Sequence, residues 1–210
     1  MPAYRCVNLD ADGAYLVWRV TEPVALLAAS VALTPAEKAD YMTITHARRQ
    51  REWLAARAAL RALLDQQAER YTSLRKDCWG KPYLVDSHLA VGLAHCNTFA
   101  CAAVDRQRPI GIDIQQPQER LRSLKEKFLQ PDELQAVGDS LQALCVYWCA
   151  KEAIYKAVGG KGLSLRQDIS ILPAASPSQD TLQGVVLGKT LSVHHSFAEG
   201  HVLAWCRDEA

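Results

Sequence analysis

Glu152 and Lys156 stand four residues apart in Leu144–Leu165 (LCVYWCAKEAIYKAVGGKGLSL), with Trp148 four residues before Glu152. Residues at that spacing share one face of a helix, so an acid and a base extend a stripe that begins as core. By itself such a pair is usually a solvated ion pair that adds only about 0.2–0.5 kcal/mol to a helix. Asp113 changes its weight. In Ile110-Gly111-Ile112-Asp113-Ile114-Gln115 the isoleucines alternate with Gly111, Asp113 and Gln115, a strand pattern that puts an acid on one face. Strands are poor in aspartate, so Asp113 calls for a reason. If Asp113 and Glu152 converge, their oxygens suit Mg2+, which is commonly held by one or two carboxylates together with substrate phosphates and waters. Arg57, Lys81, Lys156 and one of Arg48 or Arg49 could then meet phosphate oxygens, arginine as a fork and lysine as a point charge. A metal, phosphate-pairing cations and a carboxylate base are the components of phosphoryl-type transfer.

These side chains need a mixed α/β framework to hold them. Tyr15–Val20 reads as a strand, and Leu26–Leu33 as a helix turn or buried linker. Thr34-Pro35-Ala36-Glu37 is a helix start with cap, N1 proline and capping-box acid. Arg48–Gln67 is a long helix that buries Trp53, Leu54, Ala58, Leu60 and Leu64. Leu89–Leu93 and Phe99–Val104 are strands around the turn His95–Thr98, and Ile110–Ile114 is a third. Pro117–Ser123 reads as loop, Leu124–Phe128 begins a helix, Leu129–Glu133 starts another, and Leu141–Val158 carries Glu152 and Lys156 until Gly159-Gly160 stops it. Leu163–Leu165, Ile169–Leu172, Leu182–Leu187, Thr190–His194 and His201–Cys206 are expected as strands, with Ala174–Gln179 a surface loop.

The two halves rhyme. Leu33-x-Pro35-x-Glu37 matches Leu129-x-Pro131-x-Glu133, and Trp53 and Trp148 follow at similar distances. Arg57 and Arg61 correspond on this spacing to Glu152 and Lys156, and Gly80-Lys81 to Gly160-Lys161. The expectation is an α/β (α+β) protein of two similar α/β subdomains, 1–108 and 109–210, related by a pseudo-twofold axis with a ligand site at their interface. Internal duplication favours a monomer.

Composition narrows the class. With 210 residues and 49% hydrophobic content the chain can bury a substantial core. A formal net charge of +1 gives no global case for nucleic acid, and the Arg48–Arg61 helix is the one basic feature that would argue for it. Seven scattered cysteines without a CxxC read as reduced thiols used as small apolar residues in the cytoplasm. No apolar run reaches the roughly 18–20 residues of a membrane span, and the N-terminus does not read as a signal peptide.

Ile110-Gly111-Ile112-Asp113 followed by Trp148-Cys149-Ala150-Lys151-Glu152-Ala153-x-x-Lys156 resembles the paired signature of the 4′-phosphopantetheinyl transferases, an (I/V)G(I/V)D strand and a W(S/T/C)xKEAxxK helix. Gly80–Leu84, Leu93–Cys96 and Gly160–Leu165 add to it in family order, and the length and duplication are similar to the larger, Sfp-type branch. The resemblance implies transfer of the phosphopantetheine arm of coenzyme A to a serine of an apo acyl or peptidyl carrier protein, with release of 3′,5′-ADP. It implies Mg2+ on Asp113 and Glu152, Glu152 as base, and Lys156 neutralising phosphate charge. It also implies Arg57 and His95 at the 3′-phosphate and Lys81 near the adenosine or pyrophosphate, while Arg49 is a further candidate from the basic helix face. Two positions depart from the pattern. Gln115 stands where many such enzymes carry a second acid, leaving its amide oxygen or a water to complete the metal shell, and Ala94-His95-Cys96 stands where SHS is common. The alternative that Gln115 raises is a coenzyme A-binding protein of the same fold without transferase activity.

Overall fold

The computed structural model describes residues 3–160, 162–172 and 180–209, so Lys161 and the expected loop Ala174–Gln179 lie outside the described residues. The chain forms two compact units, Met1–Gln107 and Arg108–Ala210.

In the first unit β1 (Ala3–Asn8), β2 (Gly13–Arg19), β3 (Leu74–Lys76), β4 (Pro82–Leu84), β5 (Ala90–His95) and β6 (Phe99–Asp105) form an antiparallel sheet in the order β1-β2-β6-β5-β4-β3. Helices α1 (Val24–Ser30), α2 (Pro35–Met42) and α3 (Ala47–Gln66) intervene between β2 and β3. Leu54, Leu60, Leu63 and Leu64 of α3 form a core with Leu16, Ala100 and Ala102 of the sheet. The alanines on both surfaces let the helix lie close to the strands.

The second unit repeats the plan. β7 (Ile110–Gln115) is followed by α4 (Arg120–Phe128), α5 (Pro131–Val137) and α6 (Leu141–Ala157), then β8 (Ile169–Ile171), β9 (Thr181–Val186), β10 (Lys189–Ala198) and β11 (His201–Arg207). Its antiparallel sheet runs β7-β11-β10-β9-β8. Without the edge strand β1, the two units have the same strand order and the same three-helix insertion after the first shared strand. Among the described residues no helix is long and apolar enough to cross a membrane.

Each insertion is tied down by a glutamate. At the start of α2 the Thr34 backbone N–H donates to Glu37 Oε2 at 3.0 Å, and the Glu37 N–H donates to Thr34 Oγ1 at 3.3 Å, closing a capping box. Glu37 is fully buried and pairs with Arg57 on α3, whose Nε lies 3.3 Å from Glu37 Oε1; Tyr71 also donates its hydroxyl to that oxygen. At the start of α5 the Gln130 N–H donates to Glu133 Oε2 at 2.7 Å, and the same oxygen takes the Lys151 ammonium of α6 at 2.6 Å. The structural counterpart of Arg57 is therefore Lys151, one residue short of the Glu152 that sequence spacing suggests.

Several elements differ from the sequence reading. Leu26–Leu33 is mostly the helix α1, and β1 and β3 appear where no strand was expected, β1 as a largely exposed edge and β3 only three residues long. Helix α4 begins at Arg120, inside the expected loop Pro117–Ser123, where Leu121, Leu124 and Phe128 form an apolar side at helical spacing that starts before the expected Leu124. Leu163–Leu165 is not a strand. Ser164 N–H donates to Asp168 Oδ2 at 2.7 Å and Asp168 N–H to Ser164 O at 2.9 Å, which closes a turn there.

Candidate active site

Gly111 sets the geometry of the second unit. A Cβ at this position would lie 1.9 Å from Ala153 O and 2.5 Å from Ala157 N, both in the backbone of α6. Glycine thus lets the helix rest directly on β7, and Asp113, two residues along on the same strand face, is carried to α6 with it. Asp113 is buried, at 8% exposure. Lys156 Nζ donates to Asp113 Oδ1 at 2.7 Å and to Ile112 O at 3.1 Å. Glu152 lies one helical turn before Lys156 and is half-buried. Burial raises its carboxyl above the ordinary value and the Asp113 charge raises it further, against a smaller opposing pull from Lys156. Burial works against the Lys156 ammonium, but Asp113 and Glu152 outweigh it and raise its pKa, so it stays charged. These mutual effects make Asp113, Glu152 and Lys156 one electrostatic cluster.

The ends of α6 are built to hold that cluster still. Ser140 Oγ accepts the Ala143 N–H at 3.1 Å as the N-cap. At the other end Gly159 and Gly160 take φ of 82° and 67°; Gly160 N–H donates to Tyr155 O at 2.8 Å and Gly159 N–H to Lys156 O at 3.3 Å, a Schellman stop. Trp148 packs edge-on against Phe128, with centroids 4.9 Å apart. Cys149 is not a nucleophile in this setting. Burial, aided by Cys145 and Asp113, pushes its thiol well above 9.0, and the neutral thiol donates to Val202 O at 3.6 Å.

Two carboxylates on rigid elements, with the Asp113 charge acting on Glu152, fit a dication. The donor set is hard oxygen, which suits Mg2+ with several retained waters rather than the nitrogen and sulfur set of zinc. Among the described residues no group of three or more His, Cys, Asp or Glu is gathered for a metal. Gln115 ends β7 on the Asp113 face; its Oε1 accepts the Gln116 N–H at 3.2 Å and its backbone oxygen accepts from Cys145 Sγ at 3.6 Å.

A second cluster belongs to the first unit. A cavity of about 370 Å3 is lined by Thr43, Ile44, Thr45, His46, Arg49, Glu52, Trp53, Lys76 and His95. His46 is the N-cap residue of α3, and the adjoining hollow is lined by His46, Ala47, Arg48 and Arg49. Free N–H groups and the positive end of the helix dipole favour an anion here, and the cations add to it. Glu52 pairs with His95 Nδ1 at 3.5 Å and with Arg48 Nε at 3.7 Å, which orients both.

Of the sequence candidates, the structure brings Asp113, Glu152 and Lys156 together in one unit, and Arg49 and His95 together in the other. His95 closes β5, paired with Ala100, instead of lying in the turn. Arg57 is not itself a lining residue but packs behind one of them, Trp53. Its guanidinium is buried against Glu37 and stacked 3.1 Å over the Trp53 ring. Lys81 ends a turn in which its N–H donates to Asp77 Oδ1 at 2.9 Å. Sequence reasoning missed His46, Glu52 and Lys76 in the cavity and the buried Lys151. A histidine directly before a long arginine-rich helix was the available signal for His46.

The model described as 4′-phosphopantetheinyl transferase superfamily matches residues 109–206, and that of the 4′-phosphopantetheinyl transferase N-terminal domain matches residues 37–105. The chain belongs to the 4′-phosphopantetheinyl transferase superfamily. Superfamily relatives include the 4′-phosphopantetheinyl transferase HetI of Nostoc sp., 35% identical over 111 residues that make up 48% of this chain and 46% of the relative. A 4′-phosphopantetheinyl transferase of Bacillus subtilis is 37% identical over 98 residues, 43% of this chain and 42% of the relative. The chain spans about half the length of the relatives it matches. Both clusters described above fall inside these matches, the acidic one in residues 109–206 and the whole cavity lining in residues 37–105.

Proposed function

We propose that the chain moves the 4′-phosphopantetheine group of coenzyme A onto a serine hydroxyl of an apo acyl or peptidyl carrier protein, in an Mg2+-dependent reaction that releases 3′,5′-ADP. The observation that carries this reading is the cluster of Asp113, Glu152 and Lys156 formed where Gly111 lets α6 lie on β7.

Asp113 and Glu152 would hold Mg2+, with Gln115 or a water completing the shell, and the ion supplies Lewis-acid stabilisation of charge on the pyrophosphate. Serine is a weak nucleophile and needs a base. Glu152, whose proton affinity is raised by burial and by Asp113, takes the serine proton directly or through one water. The serine oxygen then forms its bond to the β-phosphorus of coenzyme A as the bond from that phosphorus to the oxygen of 3′,5′-ADP breaks. Lys156, kept charged by the two carboxylates, faces the negative charge that gathers on the phosphate oxygens. In the first unit Arg49, His95, His46 and Lys76 are proposed to take the 3′-phosphate, with Lys81 nearer the adenosine or pyrophosphate. Arg57, buried against Glu37, supports that site by holding α3 and not by touching the phosphate.

The test is to incubate the protein with coenzyme A, Mg2+ and a panel of apo acyl and peptidyl carriers and to weigh each carrier. A phosphopantetheine mass gain on at least one, lost on Glu152→Gln, is the expected result. Binding of coenzyme A with no mass gain on any carrier would overturn the transferase reading in favour of a coenzyme A-binding protein.

A further inference from the structure

Lys151 is the least exposed charged side chain of α6, at 0%, and its ammonium meets four acceptors: Glu133 Oε2 at 2.6 Å, Phe128 O and Ile169 O at 2.8 Å, and Leu165 O at 3.0 Å. An ammonium has three protons for these four acceptors, so every proton is committed and at least one is shared. The acceptors come from four places: the last residue of α4, the first turn of α5, the turn after α6, and β8. Glu133 is equally committed, since Oε1 takes the Ile171 N–H at 2.7 Å and Oε2 takes the Gln130 N–H. Gln130 in turn donates to Arg166 O at 2.9 Å and Ser170 Oγ at 3.0 Å. One buried cation therefore ties α6 to α4, to α5, to the turn after α6 and to β8.

Helices can roll about their axes over an apolar surface at small cost, whereas a lysine fixed at four points cannot follow such a roll without leaving buried acceptors unpaired. Lys151 is the neighbour of Glu152 in the chain, so whatever fixes the first fixes the bearing of the second. The first unit uses the same device in Glu37 and Arg57, where the next residue is Ala58. The clamp is thus a feature of the repeat, and the second unit has placed a reacting carboxylate beside it.

We propose that Lys151 is a positioning residue: through Glu133, Phe128, Leu165 and Ile169 it fixes the rotation of α6 and with it the placement of Glu152 and Lys156 toward Asp113. This rests on the transferase reading for its kinetic consequence only. Lys151→Met alone would strand a buried carboxylate and disturb folding, so the informative variant is Lys151→Met/Glu133→Gln, since replacing both members of a buried pair is commonly tolerated. Lys151→Arg is its conservative companion.

The expected result is that the double variant unfolds cooperatively, keeps its KM for coenzyme A, and loses kcat by about a hundredfold, the scale of a 1 Å misplacement of a reacting group. Lys151→Arg should recover part of that loss. Amide hydrogen exchange on the protein without ligands should quicken in residues 162–172 and along α6 in the double variant, with the first unit unchanged. A folded double variant with kcat within twofold of the wild type, or with unaltered exchange in those segments, overturns the proposal. If the wild type itself modifies no carrier the transferase reading fails instead, and the exchange measurement still decides whether Lys151 holds the helix.

Discussion

Asp113, Glu152 and Lys156 were legible as single residues because each breaks a local rule. An aspartate in an apolar strand and an acid and base continuing a core stripe are anomalies visible within short windows, and the structure joins them. Lys151 broke no rule that sequence could show. Its partners lie as far as 23 positions away in sequence, so it reads like any helix-surface lysine until the fold buries it. Arg57 is a different case: the sequence offered it as a phosphate ligand, and in the fold its guanidinium is paired with Glu37 and stacked on Trp53. Gln115 yields a residue-scale prediction. It stands on the Asp113 face at the end of β7, where an acid would supply a third hard ligand. Gln115→Glu should lower the Mg2+ concentration needed for half-maximal carrier modification severalfold, read from initial rates across an Mg2+ titration. An unchanged Mg2+ requirement would exclude position 115 from the metal shell.

At the scale of elements, the helices with capping signals and the strands with clear alternation were legible, and the weakly patterned ones were not. The capping box at Thr34 and Glu37 announced α2, whereas the mostly solvated α4 had no comparable mark. What sequence could not show is how near α6 comes to β7. Gly111→Ala should force the helix off the strand, since the added carbon meets backbone atoms that cannot move aside. We expect a loss of stability of about 1–3 kcal/mol, typical of overpacking, together with a fall in kcat as Asp113 separates from Lys156. Urea denaturation and carrier kinetics would report both, and a fully active, fully stable variant would refute the close-approach account. The α2–α3 clamp has its own signature in acid. Burial pushes the Glu37 carboxyl up, but hydrogen bonds from Tyr71 and Thr34 and the Arg57 charge more than offset this and hold it below 4.5. A lowered folded-state pKa supplies stability that is present above the unfolded value and lost as pH falls through the folded one. Glu37→Gln should therefore cost roughly 3–5 kcal/mol near neutrality, by leaving Arg57 buried without its partner, and should flatten the acid side of the stability curve. Urea midpoints taken from about pH 3 to pH 7 would test this, an acid limb as steep as the wild type's assigning the loss to other carboxylates.

For the whole molecule, the repeated topology shows how one architecture carries two different polar clusters. Both units place a long helix on a sheet of the same strand order and lock it with a buried glutamate–cation pair. The polar residues beyond the lock have then diverged. On α6 they are Glu152 and Lys156 beside Asp113; on α3 they are Arg49 and Glu52 beside His95, at the end of the helix whose dipole favours anions. The sequence repeat, aligned on Trp53 and Trp148, captured this duplication but set Arg57 against the wrong partner, because the second unit reaches its clamp one residue sooner after the tryptophan. This division of labour predicts which kinetic constant each unit controls. Arg49 is remote from Glu152 in sequence and role, and a contact to a phosphate that does not react holds ground and transition states alike. Arg49→Ala should raise the KM for coenzyme A about tenfold, the worth of one charge-assisted hydrogen bond in a half-open site, and leave kcat unchanged. With 3′-dephospho-coenzyme A as donor the substitution should have no effect, because the group that Arg49 is proposed to meet is absent. An equal KM increase with both donors would move Arg49 from the 3′-phosphate to another part of the coenzyme, and a kcat defect with either would show that the first unit takes part in the chemical step.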